Sequence, residues 1–146
     1  MYVIDASVHV ADIRPGEPHH AEARAFLHRV AVDKRSVTLP IIVLPEVAAA
    51  ISRGTGEPAL ARRLAAVLQR IPHFEFVPIS ADLGQLAAAL ASDHRIRGCD
   101  AVYVALALER GARLITLDQQ QRDRVPPAVI ARSPAEEMSE IGDVDR

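Results

Sequence analysis

The chain has 146 residues, of which 49% are apolar and 25% charged, which suits one folded core and argues against disorder. The formal net charge of −2 gives no overall attraction for a polyanion, so any nucleic-acid binding must depend on a local site. The longest apolar runs, 41–44 and 101–108, are far shorter than the roughly 20 residues that span a bilayer.

Short β-prone runs alternate with longer stretches of helical periodicity along the chain. The predicted strands are 2–4, 36–39, 74–78, 113–117 and 128–131. The predicted helices are one that Ser7 caps, then 18–32, 45–54, 58–71, 80–92 and 99–110, with a last turn or two near 134–141. Residues 119–124 are predicted to be a polar connection. Strands separated by helices favour an α/β fold, with helices on both faces of a parallel sheet of four to five strands.

The whole chain, 1–146, is expected to form a single domain, with a flexible acidic tail over 136–146. No basic leader and no apolar run of signal-peptide length precede Asp5, so export is not expected. The lone cysteine, Cys99, cannot form an internal disulfide, which fits a reducing compartment. We therefore expect the protein to be cytoplasmic.

Four acidic residues occupy related positions in the predicted elements. Asp5 and Asp118 follow strands directly, whereas Glu46 and Asp100 lie in the first turns of two strongly apolar helices. Because ligands bind outside the carboxyl ends of parallel strands, we expect the four carboxylates to converge at one edge of the sheet. Two charges about 4 Å apart repel by about 4 kcal/mol at an effective dielectric constant of about 20, so the cluster needs a cation.

An oxygen-only set of ligands suits hard divalent ions, foremost Mg²⁺ and Mn²⁺. Such ions keep water molecules that can be activated for attack on phosphate, which indicates hydrolysis of a phosphodiester. Zinc is disfavoured because no set of histidines and cysteines has zinc-site spacing, and the pair His19-His20 has no third ligand near it in the sequence.

Each acid also has a purely structural interpretation. Asp5 or Asp100 could cap a helix, Glu46 could favour the helix dipole, and Asp118 could open an Asx-turn. The metal-site interpretation gains its strength from the four positions together.

Four segments of the chain resemble one known family. They are Val3-Ile4-Asp5-Ala6-Ser7, Pro45-Glu46-Val47, Asp100-Ala101-Val102-Tyr103-Val104-Ala105-Leu106-Ala107 and Leu114-Ile115-Thr116-Leu117-Asp118. Together they resemble a PIN-domain ribonuclease of the type of the VapC toxins of bacterial toxin–antitoxin pairs, over almost the whole chain. The resemblance implies a PIN-like three-layer fold with strand order 3-2-1-4-5. It also implies Mg²⁺- or Mn²⁺-dependent cleavage of single-stranded or structured RNA, a homodimer, and inhibition by a cognate antitoxin.

The resemblance also assigns individual residues. It makes Asp5, Glu46, Asp100 and Asp118 the catalytic, metal-binding carboxylates, with Ser7 and Thr116 as polar supports beside them. For Ser7, a simple role as a helix cap is an equally good interpretation. The segment 119–122 departs from the family pattern because it is Gln-Gln-Gln-Arg where an apolar residue is usual, so the role of Asp123 as an extra acid stays open.

RNA must be held at the rim of such an acidic pocket, because the pocket itself repels phosphate. Arginines near the acids in sequence are the candidate RNA contacts. They are Arg14, Arg53, Arg95, Arg97 and Arg122.

Three other functions are compatible with parts of the pattern. A phosphatase with an aspartate nucleophile needs a second aspartate two residues after Asp5, where this chain has Ser7. A PIN nuclease of RNA maturation would work without an antitoxin. A non-catalytic PIN-like RNA-binding module would be favoured if one of the four acids were missing.

Overall fold

The computed structural model describes residues 1–144. Its strands are β1 (Tyr2–Ile4), β2 (Val37–Pro40), β3 (Phe74–Val77), β4 (Arg113–Ile115) and β5 (Ala131–Arg132). Its helices are α1 (Ala6–Ile13), α2 (His20–Val32), α3 (Val43–Thr55), α4 (Pro58–Leu68), α5 (Ala81–His94), α6 (Gly98–Arg110), α7 (Gln119–Arg124) and α8 (Pro134–Val144). Within this part of the chain, no helix has the length and apolar character needed to cross a membrane.

The five strands form one parallel sheet in the order β3-β2-β1-β4-β5, which confirms the predicted α/β fold and strand order. Tyr2 pairs with Val37 on one side and with Arg113 on the other, so β1 lies at the centre. The chain first builds outward from β1 to β3 and then returns to place β4 on the opposite side of β1. The strand order therefore reverses between β1 and β4, where open parallel sheets usually bind ligands.

The core lies on both faces of this sheet. The central strands contribute side chains with no exposed surface, among them Val3, Ile4 and Leu114. Helix α6 contacts β1, β2 and β4 and is buried over the whole run 101–107, because its side chains are apolar on nearly every face. Burial of a leucine or isoleucine side chain stabilises a fold by about 1.5–3 kcal/mol. Burial of this central helix therefore fixes the position of its first turn, which carries Asp100.

Several local predictions are wrong at the boundaries. Asp5, not Ser7, is the N-cap of α1, because its carboxylate accepts from the backbone N–H of Ser7. Helix α3 continues past the predicted stop at 54 and ends before Gly56, whose φ of 72° suits the left-handed conformation of a helix terminus. Residues 119–124 form helix α7 instead of a polar connection, because Asp118 caps them. The last strand begins at Ala131 rather than at 128.

The acidic carboxyl terminus is helical through Val144. Glu137 is buried, and its carboxylate accepts hydrogen bonds from the Tyr2 hydroxyl at 2.8 Å and from the Arg113 guanidinium at 2.9 and 3.0 Å. These contacts attach α8 to the start of β1 and β4, within the stretch 136–146 whose composition predicts a flexible tail. The last two residues of that stretch, 145–146, lie outside the described residues.

Candidate metal centre

Asp5 lies at the carboxyl end of the central strand, at the point where the strand order reverses. Its backbone N–H donates to the carbonyl of Ile115 at 2.9 Å, which joins the ends of β1 and β4. Its buried carboxylate accepts from the backbone N–H of Ser7 at 3.1 Å and from the hydroxyl of Thr116 at 3.3 Å. Burial raises the pKa of Asp5, and the charge of Asp100 adds to that rise, whereas the hydrogen bonds from Ser7 and Thr116 oppose it.

Glu46 reaches the same edge from the first turn of α3. The hydroxyl of Tyr103, a fully buried residue of α6, donates a hydrogen bond to its carboxylate. Burial raises the pKa of Glu46, and the charges of Asp5 and Asp100 raise it further. Burial also raises the pKa of Tyr103, with contributions from Asp5 and Glu46, so the phenol stays protonated and remains a donor.

Asp100 and Asp118 are bridged by one arginine. Nε of Arg97 donates to Oδ2 of Asp100 at 2.7 Å, and Nη2 donates to Oδ2 of Asp118 at 2.5 Å. The other oxygen of Asp118 accepts from the backbone N–H of Gln121 at 3.0 Å and caps α7. The positive charge that stands between these two carboxylates is thus a guanidinium.

The four carboxylates fit a hard divalent cation in their chemistry. The charge of Asp100 raises the pKa of Asp5, and the charges of Asp5 and Asp100 raise the pKa of Glu46, as expected where negative charge accumulates at the edge of the sheet. As the side chains stand, however, no three His, Cys, Asp or Glu residues in the described chain are grouped closely enough to hold a metal ion. A cation held by three or more of these acids would need them closer together than they lie here.

The two predicted supports connect the ends of β1 and β4. The Thr116 hydroxyl donates to Asp5, as noted, and accepts from the backbone N–H of Asp118 at 3.1 Å. The Ser7 hydroxyl accepts from the backbone N–H of Leu117 at 3.2 Å, so its hydroxyl does not cap α1. The structural interpretations also apply in part, because Asp5 and Asp118 are both N-caps, whereas Arg97 precedes α6 and no side chain caps that helix.

Two further residues at this edge, Tyr103 and Gln121, were not predicted from the sequence. Tyr103 stands in an apolar run, where it reads as a core residue, although a buried tyrosine usually needs a partner for its hydroxyl. Gln121 is buried and donates from Nε2 to the backbone carbonyl of Asp100 at 3.2 Å. Its Oε1 is buried without a hydrogen-bond partner among the described residues. The only sequence signal for Gln121 was the departure from the family pattern.

The five arginines proposed as RNA contacts differ in their surroundings. Arg97 contacts the acids directly, as described above. Arg14 pairs with Glu17, and Arg122 donates to the carbonyl of Thr116 at 2.9 Å. Arg53 is exposed in the last turn of α3, and Arg95 ends α5 in a left-handed conformation. Asp123 is exposed on α7, and no described contact joins it to the four acids.

A cleft of about 410 Å³ borders the candidate centre on the side of α1 and α3. Ser7, Glu46 and Leu117 are among its lining residues, together with Glu17 and His19. Most of its lining residues are apolar.

Comparisons with known proteins agree with this architecture. The model of the PIN domain family matches residues 2–125. No curated protein matches the sequence. Among solved structures, VapC20 of Mycobacterium tuberculosis, described as a Sarcin-Ricin loop cleaving toxin, has 21% identity and a TM-score of 0.71, with coverage of 84% of this chain and 94% of that one.

Two complexes are similar at the level of the fold. VapBC2 from Rickettsia felis, bound to a DNA fragment from its promoter, has 18% identity and a TM-score of 0.69, covering 90% of this chain and 97% of that one. A toxin–antitoxin complex from Klebsiella pneumoniae has 18% identity and a TM-score of 0.63, covering 92% and 98%.

Proposed function

The chain belongs to the PIN domain family, and from that membership we propose that it is a Mg²⁺- or Mn²⁺-dependent endoribonuclease acting as the toxin of a toxin–antitoxin pair. One observation carries the proposal. Asp5, Glu46, Asp100 and Asp118 come from four separate parts of the chain, and support comes from the charge interactions of Asp5 with Asp100 and of Glu46 with both, and from the Arg97 bridge between Asp100 and Asp118. Burial and neighbouring charges raise the pKa of Asp5 and of Glu46, so their charged forms cost free energy of folding, and a cost of this kind suggests a function.

The proposed chemistry divides between the cation and the chain. Asp5, Glu46, Asp100 and Asp118 would hold the cation, which supplies, when bound, activation of water and compensation of phosphate charge. Thr116 orients the Asp5 carboxylate, and Tyr103 orients that of Glu46. Hydrogen bonds of this kind keep carboxylate ligands in position and commonly change metal affinity when they are removed.

The substrate is proposed to be RNA, either single-stranded or structured. Support comes from the similarity to a toxin described as cleaving the Sarcin-Ricin loop, and from the cleft beside Glu46 that could receive a base. Arginines beside the acids would contact phosphates, for which their planar guanidinium is suited.

The proposed protein partners are a cognate antitoxin and a second copy of the chain. The similarity to a toxin–antitoxin complex supports the antitoxin. Exposed apolar side chains on α2 and α4, Val32 and Val67, support an association that covers apolar surface.

Cleavage of a labelled single-stranded RNA and of a structured RNA hairpin by purified protein tests the activity. We expect cleavage with added Mg²⁺ or Mn²⁺, none in excess EDTA, and none by Asp5→Asn prepared in parallel. Cleavage that persists undiminished in EDTA, while Asp5→Asn is inactive, would contradict the metal-dependent mechanism. Absence of cleavage under all conditions would favour a non-catalytic RNA-binding module.

Induced expression in a bacterial host tests the biological role. We expect growth arrest that requires Asp5 and that co-expression of a small reading frame adjacent to this gene relieves. Undisturbed growth together with strong RNA cleavage in vitro would favour a nuclease of RNA maturation.

A further inference from the structure

The cation that neutralises part of the acidic cluster in this structure belongs to the chain itself. Arg97 donates to Asp100 from Nε and to Asp118 from Nη2, and these are two of the four acids proposed to bind the divalent ion. The first acid lies in α6 and the second follows β4, so a single guanidinium bridges two elements of the site. Asp100 and Asp118 would both help to hold the divalent ion, so the guanidinium occupies carboxylates that the ion would need.

Arg97 is the exposed member of both ion pairs. The side chain of Arg97 is 69% exposed, whereas those of Asp100 and Asp118 are 14% and 25% exposed. Arg97 precedes the first turn of α6 and makes no capping hydrogen bond through its side chain, so its departure leaves that helix intact. Ion pairs that involve an exposed arginine are weak, whereas a divalent cation attracts both carboxylates with twice the charge.

We propose that Arg97 is an internal counter-ion that competes with the divalent cation for Asp100 and Asp118. The inference rests on the proposed metal-dependent function. It adds that, in the absence of metal, a guanidinium pairs with two of the proposed metal ligands. Binding of the cation by Asp100 and Asp118 would release the guanidinium from both carboxylates.

Arg97→Gln tests the competition because it removes the guanidinium from an exposed side chain and keeps a polar group of similar reach. The matched control is Arg63→Gln, which makes the same change in net charge on the exposed face of α4. Titration of Mn²⁺ into chelator-treated protein, followed by calorimetry, should give binding about tenfold tighter for Arg97→Gln than for the parent, and unchanged binding for Arg63→Gln. Thermal unfolding of each variant in EDTA checks that the fold is retained.

A second measurement separates exchange from a distant effect of charge. In protein labelled with ¹⁵N-arginine, the Nε–H signal of Arg97 is identified as the one absent from Arg97→Gln. We expect saturating Mg²⁺ to move this signal, since the hydrogen bond to Asp100 is lost. A signal that stays unchanged at saturating Mg²⁺ overturns the exchange.

The outcomes distinguish this inference from the function on which it rests. If the parent binds Mn²⁺ and Arg97→Gln binds it no more tightly, the competition is refuted while the metal-dependent function stands. If neither protein binds Mn²⁺ or Mg²⁺, the metal-dependent function fails and takes the inference with it.

Discussion

The hydroxyl of Tyr103 donates a hydrogen bond to the carboxylate of Glu46, which links the centre of the buried helix α6 to the first turn of α3. The second tyrosine of the chain makes the same kind of contact at the opposite end of the sheet, where the Tyr2 hydroxyl donates to Glu137 at 2.8 Å. Because both phenols are buried and both serve a glutamate, each is a natural control for the other.

We expect Tyr103→Phe to weaken divalent-metal affinity and RNA cleavage by about tenfold, since a ligand carboxylate loses the donor that orients it. Tyr2→Phe should leave both properties unchanged, because Glu137 lies away from the four acids. Calorimetric titration with Mn²⁺ and single-turnover cleavage provide the comparison. Equal losses in the two variants would point to general destabilisation instead of a role for Tyr103 in the site.

Asp5→Asn should abolish cleavage and yet stabilise the metal-free fold at neutral pH. Burial raises the pKa of Asp5, so the charged form opposes folding above the ordinary pKa of 3.8, and stability recovers only as the pH falls through the raised pKa. The neutral amide removes this cost, and we expect a gain of about 1 kcal/mol in the free energy of unfolding.

Asp33→Asn provides a control of opposite sign for this prediction. Hydrogen bonds from Arg29 and Arg35 lower the pKa of Asp33, so its charge favours the folded state and the amide should slightly destabilise it. Urea unfolding in EDTA at pH 7 compares the two variants. A less stable Asp5→Asn protein would mean that the carboxylate is a structural cap whose charge the fold needs.

Gln121→Leu should lower cleavage severalfold with little change in stability. The substitution removes the hydrogen bond to the Asp100 carbonyl, which fixes the start of α6, but it also removes an Oε1 atom that is buried without a partner in the described chain. These two effects on the free energy of unfolding oppose each other, each being about 1 kcal/mol. Gln120→Leu, on the exposed face of the same helix, should retain full cleavage.

His9 should make the fold sensitive to mild acid. It is 2% exposed, its Nε2 has no partner in the described chain, and burial lowers its pKa from 6.5 to about 4. Between these two values the unfolded chain binds a proton that the folded chain does not. Stability is therefore fully present above pH 6.5 and falls, by about 3 kcal/mol from this group, as the pH drops to about 4.

His9→Leu tests this sensitivity. His9 borders an apolar cavity of about 190 Å³ in which Asp12, Arg35 and His73 are the other titratable or charged residues, and they are the same in both proteins. The stability of the variant relative to the parent should therefore increase on going from pH 7 to about pH 4.5. A constant difference in urea unfolding across this range would show that His9 does not titrate as described.

The protein should be a dimer in solution. Val67 on α4 and Val32 on α2 are 59% and 63% exposed, and covering such side chains favours self-association. Light scattering at micromolar concentrations should give twice the 15.8 kDa mass of the chain. A mass of 15.8 kDa that does not change with concentration would contradict the dimer.

Much of the fold could be predicted from local sequence patterns. The apolar runs of β1 and β4 are each followed by an aspartate at Asp5 and Asp118, and alternation of strands with helices suffices to predict a parallel sheet. The end of α3 before Gly56 and the start of β5 at Ala131 differ from their predicted positions. A helix ends where its last carbonyls find other hydrogen-bond partners, and β5 begins where it pairs with β4. The order of the strands came from the family resemblance, since alternation alone leaves it open.

The sequence by itself determined which residues bring carboxylates to the edge of the sheet, because strand ends and first helical turns are local features with local signals. Only the tertiary structure decided what surrounds those carboxylates. Tyr103 meets Glu46 across 57 positions of the chain, Arg97 meets Asp118 across 21, and Thr116 meets Asp5 across 111. Such contacts depend on how whole elements pack, and the periodicity that reveals a helix says nothing of which distant side chain its residues will touch.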